Sequence, residues 1–211
     1  MKDIFNFLIE VGKLKGKKRR GWVAHQIKNS ETTAEHIFHL AILVWLLGEK
    51  KKINLEKTIK MALMHDLCEV YCPDLTPYDP LLPKDLKNKK KVMEILKRWP
   101  KFTISQKIER SNKKYKMESK GLDKLISGLP DNFKKEIKNL WLELEKGATT
   151  EARFVKQADK VINFLQGIEY WKKYGKIQHR LWVRWIKEIT DEPVLLEFVR
   201  EIENHFIPPE D

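Results

Sequence analysis

Cysteine is scarce in this 211-residue sequence, with only Cys68 and Cys72, four residues apart. A disulfide framework needs more cysteines in a smaller secreted chain, so both thiols are expected to be reduced. Glycine and proline are also sparse, nine of each, below the roughly 12% they make up on average. That shortage argues against a turn-rich sandwich or barrel. The longest uninterrupted apolar stretch runs only from Leu40 to Leu47, far below the ~20 residues that span a bilayer. The amino-terminal apolar run has no cleavage-site pattern, and the expected location is cytoplasmic. No sustained period-two alternation, glycine-rich strand-to-helix turn or internal repeat occurs, which excludes a dinucleotide-binding or P-loop fold.

What remains is a soluble globular composition: 42% hydrophobic, 34% charged, mean hydropathy −0.53. The length suits one domain over residues 1–211. Lys and Arg number 42 against 30 Asp and Glu, a net charge of +12. The excess favours anionic partners such as phosphate esters, nucleic acid or acidic lipid. It is equally the composition of a surface laced with ion pairs.

Helical periodicity dominates, and the predicted fold class is all-α. Ile4, Phe5, Leu8 and Ile9 predict an amphipathic helix from residue 2 to about 14, followed by the basic loop KGKKRRGW. Thr32-Thr33-Ala34-Glu35 has the form of a capping box before a run that is apolar nearly all round, predicting a central buried helix over 34–49. Asn54 caps a second buried helix over 55–71, ending before Pro73. Between about 78 and 105 the character changes to proline and lysine, which reads as an inserted, largely exposed basic helical arm. Further helices are predicted over 106–127, 131–146 and 150–174, with Gly147 and Gly175 just past the ends of the last two. Two closing helices lie within about 178–206, the last with Pro193 in its first turn.

The chemistry concentrates in Met64-His65-Asp66-Leu67-Cys68-Glu69. On a helix His65 and Asp66 would lie about 100° apart, with Glu69 returning to their face at i+4 and i+3. His36 stands one turn into the preceding buried helix. Asp159 stands at the edge of the apolar arc formed by Phe154, Ala158, Val161 and Leu165. Two imidazoles and two carboxylates are a mixed nitrogen and oxygen donor set, which suits a catalytic divalent ion better than a structural cysteine-rich zinc site. His39 reads as a core histidine, and Trp141, Trp171, Trp182 and Trp185 as helix-packing residues.

The order His36, His65-Asp66, Asp159 on an all-helical chain resembles the HD-domain metal-dependent phosphohydrolases. RRGW at 19–22, TTAEH at 32–36, ALMHDLCEVYCPDLTP at 62–77 and EARFVKQADK at 151–160 resemble, more narrowly, the small 5'-deoxynucleotidase branch. The resemblance implies that His36, His65, Asp66 and Asp159 are metal ligands. It implies that Glu69 and Asp74 are the catalytic acidic pair, and that Arg19 or Arg20, with Trp22, approaches phosphate and sugar. The cofactor it implies is one divalent ion, Mn, Co, Fe, Ni, Zn or Mg.

Hydrolysis of a phosphate monoester needs an activated water, neutralisation of the phosphoryl oxygens and a proton for the leaving alkoxide. Glu69 could orient or deprotonate water, Asp74 could meet the ester or a sugar hydroxyl, and a guanidinium could clamp phosphate. The expected activity is hydrolysis of deoxynucleoside 5'-monophosphates by a homodimer or higher homo-oligomer, with a small-molecule nucleotide as partner and no membrane. Two alternatives stay open: another HD activity on nucleoside triphosphates or cyclic nucleotides, and a basic helical nucleic-acid-binding module. The second is disfavoured, since it leaves the His, Asp and Glu set unexplained.

Overall fold

In a computed structural model, residues 1–83 and 85–207 are described. Ten α-helices follow one another among them: α1 Lys2–Val11, α2 Arg20–Ala24, α3 Thr33–Gly48, α4 Leu55–Met64, α5 Lys89–Leu96, α6 Ile104–Ile126, α7 Asp131–Lys146, α8 Thr150–Tyr174, α9 His179–Ile189 and α10 Pro193–Phe206. The all-α class stands. No helix among the described residues is long and apolar enough to cross a membrane. The chain divides into two compact units, one of residues 1–35 and 64–139, the other of 36–63 and 140–211.

The second unit is built on α8. Phe154, Ala158, Val161, Ile162, Phe164 and Ile168 are all essentially buried, and they pack with Leu40 and Val44 of α3, Met61 and Ala62 of α4, and Ile186, Leu195 and Val199 from α9 and α10. Burying a large aliphatic or aromatic side chain contributes about 1.5–3 kcal/mol, so this cluster is the main source of stability in the unit. Trp171, Trp182 and Trp185 pack against its edge, as helix-packing residues do. The stops predicted from glycine are present: Gly147 and Gly175 take φ of +59° and +65°, and the Gly175 N–H donates to the Trp171 carbonyl at 2.8 Å.

In the first unit two expectations need correction. The helix predicted over 55–71 ends at Met64, and Leu67–Val70 form a separate 3-10 turn. His65 and Asp66 therefore leave the end of α4 on a turn instead of sharing a helical face with Glu69. The cause is tertiary. The Lys17 ammonium donates to the carbonyls of both Glu69 and Cys72, and α6 approaches the turn so closely that a Cβ on Gly121 would lie 2.8 Å from the Cys68 carbonyl oxygen.

The basic loop is also more ordered than composition suggests. Lys18 bridges Thr32 in antiparallel fashion, the Arg19 N–H donates to Glu31 O and the Thr33 N–H to Lys17 O. Helix α2 follows at once. The arm is exposed at most of its described residues, as expected, yet it carries a buried face. Its described lysines face outward, while Val92 and Leu96, four apart on α5, pack with Tyr78, Leu82 and Ala24 in a small core of their own. A lesser difference is α1, which gives way to a 3-10 turn at Gly12 and leaves Phe5, Leu8 and Ile9 exposed.

Candidate active site

The first unit gathers an arginine and three carboxylates. Arg19, held extended by the Lys18–Thr32 bridge, directs Nη1 to Asp66 Oδ2 at 2.6 Å and to Glu69 Oε1 at 3.6 Å, with Nε 3.8 Å from Asp74 Oδ2. His65 Nε2 is 3.0 Å from the same Asp66 oxygen. Asp74 is fixed a second time, by the Arg20 backbone N–H at 2.8 Å. The Arg20 side chain points elsewhere, pairing with Asp79, whose carboxylate also accepts from the Thr76 N–H and hydroxyl. Of the two arginines, Arg19 is thus the one set among the acidic residues.

Glu69 is 3% exposed, and its Oε2 accepts from the Thr33 hydroxyl at 2.9 Å. Burial pushes this carboxyl up to about 9, and the charges of Asp66 and Asp74 add to the effect. Arg19 and the Thr33 hydroxyl oppose it without cancelling it. Trp22 is buried in α2, with its indole N–H donating to Glu31 Oε1 at 2.9 Å. Cys68 and Cys72 are free and buried, as expected of reduced core thiols.

The second unit holds an imidazole–carboxylate pair. His36 is fully buried on α3, with Nε2 3.0 Å from Asp159 Oδ1. Asp159 is steadied on α8 by Asn163, one turn on, whose amide donates to its Oδ1 and to its carbonyl, each at 2.9 Å, and by Lys160 on Oδ2. His39 is half-buried.

His36, His65 and Asp159 are donors of the type that could hold a metal ion. Imidazole nitrogens and a carboxylate oxygen, with no thiolate, fit a borderline-hard divalent cation. Each imidazole already stands against a carboxylate at 3.0 Å, and Asp66 adds a second carboxylate of the same kind. The chemistry of the donors thus fits the ion that the resemblance implies.

Lys17, Thr33, Asp79 and Asn163 were not singled out from sequence. Asn163 had a readable signal, an amide four residues after a ligand-type carboxylate on one helix. The others act across the fold and had none.

The HD domain family model matches residues 11–194, a span that takes in every candidate residue from Arg19 to Asp159. The chain belongs to the HD domain family. Among relatives, this HD domain is 30% identical over 207 residues to a 5'-deoxynucleotidase of Schizosaccharomyces pombe, covering 90% of each chain. It is 29% identical over 180 residues to a 5'-deoxynucleotidase of Xenopus laevis, covering 84% of this chain and 75% of that one. Among solved structures it resembles a conserved hypothetical protein from Pyrococcus furiosus, with TM-score 0.66, 23% identity and coverage of 95% and 99%. That likeness supports the fold. This HD domain is an enzyme, a metal-dependent phosphohydrolase.

Proposed function

We propose that this enzyme hydrolyses deoxynucleoside 5'-monophosphates to deoxynucleoside and inorganic phosphate. The observation that carries the reading is Arg19 set among Asp66, Glu69 and Asp74 beside His65. The names of its relatives agree with it. A divalent ion held by His36, His65, Asp66 and Asp159 would acidify water and neutralise charge on the phosphoryl oxygens.

The chain's own groups do the rest. Arg19 has a planar fork of donors suited to two phosphate oxygens at once, and the three carboxylates hold it ready before substrate arrives. Glu69 has Oε2 tied to Thr33, and with a divalent cation nearby to favour its ionised form its Oε1 would orient the attacking water and take its proton. As the water oxygen bonds to phosphorus, the ester P–O bond breaks and the 5' alkoxide needs a proton. Asp74, fixed by the Arg20 N–H, is the group we assign to the leaving oxygen or the sugar. Trp22 is assigned to the sugar's 2' edge, with its ring plane set by the Glu31 hydrogen bond. We also read the protein as a cytoplasmic homo-oligomer, a reading supported by the large apolar side chains Phe38, Trp45 and Leu46 exposed along α3. Sedimentation velocity showing only a 25.1 kDa species at micromolar concentration would remove the oligomer.

The test of function is phosphate release by metal-stripped protein from ribo- and deoxynucleoside mono- and triphosphates and cyclic nucleotides, with Mn, Co, Mg, Fe, Ni or Zn restored singly. Metal-dependent turnover of deoxynucleoside monophosphates above all others is expected. Preference for triphosphates or cyclic nucleotides would replace the proposed substrate, and no release under any metal would overturn the reading.

A further inference from the structure

Lys17 has no place in the chemistry above, yet its two ends converge on Glu69. Its ammonium donates to the carbonyl of Glu69 and to that of Cys72, at the end of the 3-10 turn that carries Glu69. Its backbone carbonyl accepts the N–H of Thr33 at 2.8 Å. Thr33 in turn donates its hydroxyl to Glu69 Oε2. One residue therefore braces the main chain of Glu69 directly and its carboxyl through Thr33.

The location sharpens the point. Carbonyls at the end of a short 3-10 turn have no following turn to donate to them, and a free pair would be met by water or by a shift of the backbone. On the other side of the turn α6 is in close contact, since Gly121 has no room for a Cβ beside the Cys68 carbonyl. The turn is thus held between Lys17 and Gly121, and Thr33 sets the rotamer of the side chain it presents. Thr58 and Asn54 hold the start of α4 in an ordinary way. The turn beyond its end is held by a lysine more than fifty residues away in sequence.

We infer that Lys17, acting with Thr33, is a positioning residue for catalysis: it fixes the backbone and carboxyl of Glu69 at the reacting water without touching substrate. The inference rests on the reading of Glu69 as the catalytic carboxylate. A carboxylate displaced by about 1 Å can lose on the order of a hundredfold in rate, because a general base works only within hydrogen-bond reach. Lys17 acts on the chemical step, so kcat changes and substrate binding through Arg19 does not.

The test uses the Mn-loaded full chain and deoxyadenosine 5'-monophosphate. Lys17→Met keeps the apolar stem and removes the donors. It is expected to lower kcat by about tenfold or more while KM stays within about twofold. Lys17→Arg, which can reach both carbonyls, should recover kcat to within about threefold of the parent. The deciding readout is the double variant: placed on Glu69→Gln, Lys17→Met should cost less than about twofold further, since the group it positions is already gone. Equal losses on both backgrounds, or an unchanged kcat in folded Lys17→Met, would overturn the inference. If Lys17→Met does not fold, Thr33→Val, which retains the backbone N–H, takes its place with the same expected non-additivity. Full activity in Glu69→Gln alone would instead overturn the role of Glu69 itself, a failure distinguishable from that of Lys17.

Discussion

Replacing Glu69 by glutamine should make the protein more stable and nearly inactive, and the two effects share one cause. The carboxyl is 3% exposed and faces Asp66 and Asp74, so in the metal-free folded chain it holds its proton up to about 9, against an ordinary value of 4.5. Between those values the folded protein binds a proton that the unfolded chain has released, and stability falls as pH rises through the window. Near pH 7.5 the ceiling on that loss is about 4 kcal/mol, from about 1.4 kcal/mol for each unit. Glutamine keeps an acceptor for the Thr33 hydroxyl but must bury an amide, so roughly half of the ceiling, about 2 kcal/mol, is the expected gain. The assay is urea unfolding in EDTA of parent and Glu69→Gln near pH 5.5 and pH 7.5. The variant should gain on the parent as pH rises, while its turnover with metal restored falls by about a hundredfold or more. A variant no more stable than the parent near pH 7.5, or a difference that does not change with pH, would refute the reasoning.

Four further outcomes rest on the same geometry. Arg19→Ala is expected to lower kcat/KM for deoxynucleoside monophosphates about a hundredfold, the usual loss of an aimed oxyanion donor. Arg20→Ala, whose guanidinium is committed to Asp79, should cost less than about tenfold in steady-state assays. Gly121→Ala forces its new Cβ against the Cys68 carbonyl and should destabilise the fold by about 1–3 kcal/mol in urea unfolding, with loss of activity as the Glu69 turn shifts. Trp22→Phe removes the bond to Glu31 and part of the ring, costing about 1 kcal/mol of stability. It should narrow the ratio of kcat/KM for deoxyadenosine to adenosine monophosphate by about three- to tenfold, and an unchanged ratio would make Trp22 a packing residue only.

Most of the helices were legible because their signals are local. Thr32 and Glu35 do form the reciprocal cap before α3, Gly147 and Gly175 do adopt the left-handed conformation that only glycine takes readily, and Pro193 does open α10. The break after Met64 was not legible. Leu63, Met64, Leu67 and Val70 continue the helical period without a stop signal, and what ends the helix is a lysine and a glycine from distant segments. The small core inside the arm was hidden for the opposite reason. Its lysines are dense along one short segment, but Val92 and Leu96 need only one face of one short helix to build a core with Tyr78 and Leu82. Histidine and aspartate of the candidate site could be named from their order along the chain. The groups that orient them could not, apart from Asn163, because hydrogen bonds such as Thr33 to Glu69 join residues that no periodicity relates.

The central claim, that His36, His65, Asp66 and Asp159 hold one catalytic cation, is tested most directly by an anomalous difference map from crystals grown with Mn(II). A single peak is expected, with an atom of each of the four side chains about 2.0–2.3 Å away, the range of ordinary ligand bonds. No peak there, or a peak that leaves any one of the four beyond about 4 Å, would contradict it.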